Sequence, residues 1–219
     1  MIRDVKYVDY EAAWSSLHGS AQPTRLVRIW LQIMYLVTTP LIKFSPNHIT
    51  VFAGALACLV MYVASVPALY WLVAVLILLL GVLDSIDGVI AVRTGKVTQW
   101  GTFLDSFVDR IVDVAIAVAL FVAGAPLEVT LLALTMTLVH EYMRARAASV
   151  GYKHIGIVTV AEKPTRILLG VIAFSALSVA PGHNSTFLAI CAWVWLGLAS
   201  LALAQLFAVY RRKLRKPTS

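Results

Sequence analysis

The sequence predicts an all-α integral membrane protein: six transmembrane helices preceded by an N-terminal interfacial amphipathic helix. Three observations carry that prediction. Of 219 residues, 13% are charged and 60% hydrophobic, whereas a soluble domain carries about 25% charged residues. Residues 44–83 and 167–210 contain no Asp, Glu, Lys or Arg, and each stretch is long enough for two crossings at roughly 20 residues apiece. The basic residues outside these stretches gather on alternate loops, as a fixed membrane topology requires.

In chain order, residues 1–22 read as a polar lead-in without the apolar core of a cleavable signal peptide. Residues 23–39 offer Leu26, Ile29, Trp30, Ile33, Tyr35 and Leu36, with Arg25 and Arg28 near the start, and Pro40 ends the run. Seventeen residues at about 1.5 Å each reach roughly 25 Å, short of a hydrocarbon core of roughly 30 Å. The segment is therefore expected to lie in the interface, with a seventh span as the rival reading. Ser65-Val66-Pro67 divides the first two spans. The third runs from about Trp100 to Gly124 and the fourth from about Leu127 to Arg144, joined by a turn at Ala125-Pro126. Residues 181–185 divide the fifth span from the sixth. The expected organisation is one membrane domain over 1–219: lead-in and interfacial helix over 1–43, six-helix core over 44–210, basic tail over 211–219.

Loop charge orients this bundle. Arg93 and Lys96, then Arg144, Arg146, Lys153, Lys163 and Arg166, then Arg211, Arg212, Lys213, Arg215 and Lys216 all fall on one side, while the three turns on the other side hold no Lys or Arg. Both termini are expected to be cytoplasmic in a multi-pass protein of the plasma membrane. The net charge of +7 is then explained by loops that meet anionic lipid, and no nucleic-acid partner is expected. Cys58 and Cys191 lie within apolar stretches, where a small hydrophobe is their default role. Trp30, Trp71, Trp100 and Tyr210 near span ends read as interfacial anchors. His140-Glu141 lacks the second His of a zinc motif.

Five of the eleven acidic residues, Asp84, Asp87, Asp105, Asp109 and Asp113, fall within thirty positions of otherwise apolar sequence. Such residues are costly inside a bilayer and mark function. Asp84 and Asp87 share a helix face, and Gly88 follows to admit a ligand without a Cβ in the way. Asp105, Asp109 and Asp113 recur every four residues on one stripe of the third span. Adjacent carboxylates repel and need cations. Arg93 and Arg110 are two against five, so divalent metal is the better partner. An oxygen-only set favours Mg²⁺, Mn²⁺ or Ca²⁺ over zinc, and two helices each bearing a carboxylate pair can hold two ions on a phosphoryl group.

Residues 84–109, DSIDGVIAVRTGKVTQWGTFLDSFVD, resemble the signature of the CDP-alcohol phosphotransferases, with Asp84, Asp87, Gly88, Ala91, Gly101, Asp105 and Asp109 in register. Val92 stands where the pattern has Arg, and Arg93 is beside it. The resemblance implies that Asp84, Asp87, Asp105 and Asp109 hold two Mg²⁺ on the diphosphate of CDP-diacylglycerol, with Asp109 also the catalytic base. It further implies that Asn47 and Thr50, from a Pro-Asn-x-x-Thr segment, line the CDP-lipid site with Gly88, Ala91, Arg93 and Gly101. A homodimer in the bilayer is expected on the same ground.

Arg144, Arg146, Lys163 and Arg166 form a second, basic constellation suited to a phosphate. With Asp113, they resemble the branch of the family that makes phosphatidylinositol phosphate in bacteria. The expected reaction is transfer of a phosphatidyl group from CDP-diacylglycerol to a soluble alcohol acceptor such as inositol phosphate, releasing CMP. Phosphatidylglycerophosphate synthesis from glycerol 3-phosphate is the alternative within the family, and a divalent-cation transporter is the alternative of another class.

Overall fold

A computed structural model describes residues 6–17, 25–152, 159–180 and 184–214. All regular structure among them is helical: α1 (Tyr7–Leu17), α2 (Arg25–Thr38), α3 (Pro46–Val63), a 3-10 turn at Pro67–Leu69, α4 (Tyr70–Thr94), α5 (Gln99–Val122), α6 (Leu127–Ser149), α7 (Lys163–Val179) and α8 (Asn184–Lys213). Lys153, His154, residues 181–183 and the tail from Arg215 lie outside the described residues.

Each expected span contains one helix, α3 to α8, and the 23–39 segment contains α2. Among the described residues, three helical stretches are both long and apolar enough to cross a bilayer, Pro46–Val63, Pro67–Thr94 and Ser185–Lys213. α5 and α6 are long enough but interrupted by charge, and α7 has 17 residues. One element differs from expectation: the lead-in contains α1, which no apolar run announces because its anchors are tyrosines. α4 continues eleven residues past Leu83 and so carries Asp84 and Asp87 on one helix, as expected.

Glycines close several of these helices. At the end of α4, Gly95 adopts φ +64°, its N–H bonds Val92 O, and Lys96 N–H bonds Ala91 O at 2.9 Å. This double closure needs a residue without a Cβ, and it recurs at Gly124 after α5 and Gly151 after α6. Thr98 then caps α5, its hydroxyl accepting the Gly101 N–H at 3.0 Å.

The chain divides into two compact units. The first comprises Met1–Leu56 and Leu79–Ile111. In it α1 lies on α2, with the Tyr35 ring 5.6 and 6.0 Å from those of Tyr7 and Tyr10 and Arg28 Nε bonded to Glu11 at 3.1 Å. α2 buries Leu31, Met34 and Thr38 while exposing Trp30, Ile33 and Leu36. It is thus apolar on an outer face as well as an inner one. The second unit comprises Ala57–Leu78 and Val112–Ser219. Gly170 of α7 lets that helix approach closely, since a Cβ there would meet Ile77 at 3.2 Å and Ile116 at 3.5 Å. Trp195 of α8 is buried, and its indole N–H donates to Thr137 of α6 at 3.1 Å. In both units large apolar side chains such as Phe52, Phe107, Leu131, Leu168 and Trp193 face outward, as a lipid environment permits.

Candidate active site

The tight turn at Gly95–Thr98 folds the second half of α4 back against the first half of α5. Counting outward from that turn, Asp84 comes level with Asp109. The consequence is that one carboxylate oxygen from each of Asp84, Asp105 and Asp109 lies within 4.8 Å of the others, all three residues half-buried. Arg110 Nη2 stands 3.8 Å from Asp109 Oδ2. The fourth expected ligand, Asp87, is 5% exposed. Its Oδ2 accepts the Thr50 hydroxyl at 2.6 Å, and it is near enough for the charges of Asp105 and Asp84 to act on it. Thr50 is itself buried and also lies 3.1 Å from Pro46 O. A residue expected to line the CDP-lipid site is therefore one that holds a carboxylate in place.

On the open side of α4, Gly88 is exposed and a Cβ there would meet nothing within 4 Å. Asp84, Gly88 and Ala91 fall at i, i+4 and i+7, on one helix face. Gly101 is confined instead: a Cβ would meet Asn47 Oδ1 and Thr98 Oγ1 at 3.1 Å each. Asn47 and Gly101, far apart in sequence, are thus neighbours at the starts of α3 and α5.

Arg93 is the residue expected to line the CDP-lipid site in place of Val92. It is completely buried, and its Nη1 donates to Tyr35 O at 2.6 Å and Thr38 Oγ1 at 2.7 Å, with the guanidinium carbon 3.8 Å above the Tyr35 ring. The last carbonyls of α2 need donors, and a cation there also meets the negative end of the helix dipole. Arg93 Nη1 thus serves the end of α2.

The basic constellation belongs to the second unit, where acids occupy much of it. Arg166 is 3% exposed and Asp113 1%. They pair at two points, Nε to Oδ1 at 2.7 Å and Nη2 to Oδ2 at 3.2 Å, while Arg166 Nη1 donates to Ala161 O at 2.7 Å. Arg144 pairs with Glu162, whose Oε1 also accepts the Thr159 N–H at 2.8 Å and hydroxyl at 3.0 Å. Burial would raise the Glu162 carboxyl, but Arg144 and the Thr159 N–H outweigh it and hold it below the usual range. Thr159 Oγ1 also lies 3.1 Å from Nε2 of buried His140, and Glu141 Oε1 is 3.9 Å from Arg166. Lys163 is half-buried. Arg146 is not gathered with these groups; its Nη1 donates to Ser149 Oγ at 3.2 Å and it lines a groove with residues of α8. The partners His140, Glu141 and Thr159 had no place in the expected site. Ionisable residues inside an apolar span were the signal available for His140 and Glu141.

Three converging carboxylates without His or Cys suit a hard divalent cation. A phosphate ester drawn to such a cation beside a carboxylate able to accept a proton is set for phosphoryl transfer to a hydroxyl.

A family model described as CDP-alcohol phosphatidyltransferase matches residues 43–208. Archaetidylinositol phosphate synthase of Pyrococcus horikoshii is 32% identical, over 68% of this chain and 78% of that one. Phosphatidylinositol phosphate synthase of Cutibacterium acnes is 31% identical, over 69% and 76%. The fold is shared with the crystal structure of Mycobacterium tuberculosis phosphatidylinositol phosphate synthase with CDP-DAG bound, at a TM-score of 0.68 and 19% identity, covering 84% of this chain and 98% of that one. It is shared also with the complex of that enzyme with manganese and citrate, at a TM-score of 0.70 and 20% identity, over 83% and 93%.

Proposed function

The chain belongs to the CDP-alcohol phosphatidyltransferase family, and from that membership we propose that it transfers the phosphatidyl group of CDP-diacylglycerol to a phosphorylated polyol, inositol phosphate by preference, and releases CMP. The observation that carries this reading is the convergence of Asp84, Asp105 and Asp109 within 4.8 Å next to the open backbone at Gly88.

The acceptor hydroxyl attacks phosphorus, its proton passes to a carboxylate oxygen of Asp109, and the bond from phosphorus to the CMP oxygen breaks. Asp84, Asp105 and Asp109 would hold Mg²⁺, or Mn²⁺ in its stead, with Asp87 fixed behind them by Thr50. Two such ions would neutralise charge on the diphosphate. Gly88 and Ala91 leave room for the nucleotide along α4, and Asn47 and Gly101 line it at the starts of α3 and α5. Arg144 and Lys163 take the acceptor phosphate, while Asp113 holds Arg166 as a positioning residue. The inositol phosphate that both named relatives share, on different lipids, supports this acceptor over glycerol 3-phosphate.

The same reading places α3 to α8 as six spans of the plasma membrane and α2 in the interface. Both termini are cytoplasmic, and the working unit is a homodimer. The basic loop residues favour this orientation.

The test is Asp109→Asn. Turnover should fall by about 10² to 10⁴, with CDP-lipid still bound in a direct binding assay. A variant that keeps more than about a tenth of the wild-type rate would remove Asp109 from the role of base.

A further inference from the structure

His140 of α6 is a buried histidine with no part in the reaction as proposed. It is 2% exposed and stands one helical turn before Arg144, so both side chains project from one stripe of α6. That stripe faces the segment leading into α7. There Thr159 Oγ1 lies 3.1 Å from His140 Nε2 and 3.0 Å from Glu162 Oε1. Glu162 in turn holds Arg144, its Oε2 accepting from Nη1 at 3.1 Å. Glu162 occupies the N-cap position of α7 but its side chain does not cap that helix; its oxygens go to Thr159 and Arg144 instead.

A threonine hydroxyl has one proton to give. Glu162 is ionised near neutrality, because its carboxyl is held below the usual range, and an ionised carboxylate only accepts. Were the Thr159 proton turned to the imidazole, two bare oxygens would face each other at 3.0 Å. The proton therefore points to Glu162, and the contact between His140 and Thr159 requires a proton on Nε2. Nδ1, by contrast, has no hydrogen-bond partner among the described residues, with Glu141 Oε1 3.6 Å away. We propose that His140 is a positioning residue for Arg144: its Nε2–H donates to Thr159 Oγ1, which turns the Thr159 proton to Glu162 and so fixes the carboxylate that aims the guanidinium. The proposal rests on the reading of Arg144 as a group that binds the acceptor phosphate. The role falls to one ring nitrogen, which separates it from the filling of space. Glutamine at 140 puts a donor where Nε2 stands, whereas the shorter asparagine reaches only the position of Nδ1.

CMP release by the full-length protein gives the KM for inositol phosphate and for CDP-diacylglycerol separately. H140N should raise the acceptor KM about tenfold, with kcat and the CDP-lipid KM within about twofold of wild type. H140Q should keep all three within about threefold, and H140N added to Thr159→Val should raise the acceptor KM less than about twofold further, because the relay is already cut. A second arm needs neither activity nor a variant of the site: with His18, His48, His154 and His183 replaced by Gln, histidine nitrogen NMR reads His140 alone and should find a proton on Nε2. That arm decides the proposal if H140N fails to fold, as checked by circular dichroism and elution volume. A bare Nε2, equal effects of H140N and H140Q, a rise in both KM values together, or full additivity with Thr159→Val overturns it. R144Q is the control for the underlying reading. An unchanged acceptor KM there removes Arg144 from the acceptor site and the proposal with it, whereas a raised one in R144Q beside an unchanged one in H140N overturns the proposal alone.

Discussion

Asp113 of α5 and Arg166 of α7, 53 positions apart, meet in a buried two-point ion pair. Removing one partner of such a pair leaves a buried charge and costs about 3–5 kcal/mol, whereas replacing both by apolar residues of similar volume costs far less. Arg166→Ala should therefore unfold at a markedly lower temperature in detergent, and Asp113→Leu with Arg166→Met should recover most of the loss. An Arg166→Ala protein as stable as wild type, with only its acceptor KM raised, would return Arg166 to direct phosphate binding.

Arg93 gives an opposite expectation to the one its place in the motif suggests. Arg93→Ala should lower stability by about 1–3 kcal/mol, because the Tyr35 carbonyl and Thr38 hydroxyl are left buried without their donor. The KM for CDP-lipid should stay level. Exchanging Val92→Arg and Arg93→Val moves the guanidinium by about 100° around the helix, so it should destabilise as much as Arg93→Ala. A fully stable exchange variant with tighter CDP-lipid binding would show that Arg93 faces the diphosphate.

Asp84 and Thr50 separate direct from indirect ligation. Asp84→Asn should strongly raise the Mn²⁺ concentration needed for half-maximal rate. Thr50→Val only frees the Asp87 carboxylate to turn, an outer-shell loss of about 10- to 100-fold in metal affinity or activity. Isothermal titration with Mn²⁺ distinguishes them, and a Thr50→Val protein indistinguishable from wild type would leave the Thr50–Asp87 bond without a role.

Glu162 links stability to pH. Its carboxyl is held below the ordinary value, so its contribution is complete above pH about 4.5 and disappears as pH falls through the lower folded-state value. The difference in unfolding temperature between wild type and Glu162→Gln should be constant near neutrality and shrink below that point. A gap that widens on acidification would contradict the assigned direction.

What was legible in the sequence was what the membrane forces into it. Charge-free runs located the apolar helices α3, α4, α7 and α8, and the expense of Asp84, Asp105 and Asp109 in apolar surroundings announced the carboxylate cluster. Side-chain direction was not legible. A motif fixes Arg93 along the chain, but only the arrival of the α2 terminus decides what that guanidinium bonds. Likewise the basic residues 144–166 count as loop charge until Glu162 and Asp113, from the same neighbourhood and from α5, are seen to engage Arg144 and Arg166. α1 went unread because its hold on α2 rests on Tyr7 and Tyr10 rather than on a periodic apolar face.

The central claim is the transfer itself, and release of CMP measures it. Purified protein with CDP-diacylglycerol and Mg²⁺ is offered inositol phosphate, glycerol 3-phosphate, free inositol or no acceptor, with each lane repeated in chelator. The account predicts CMP and a new phosphorylated lipid with inositol phosphate, less with glycerol 3-phosphate, and none in chelator. No CMP from any acceptor, or release that ignores the chelator, would contradict it.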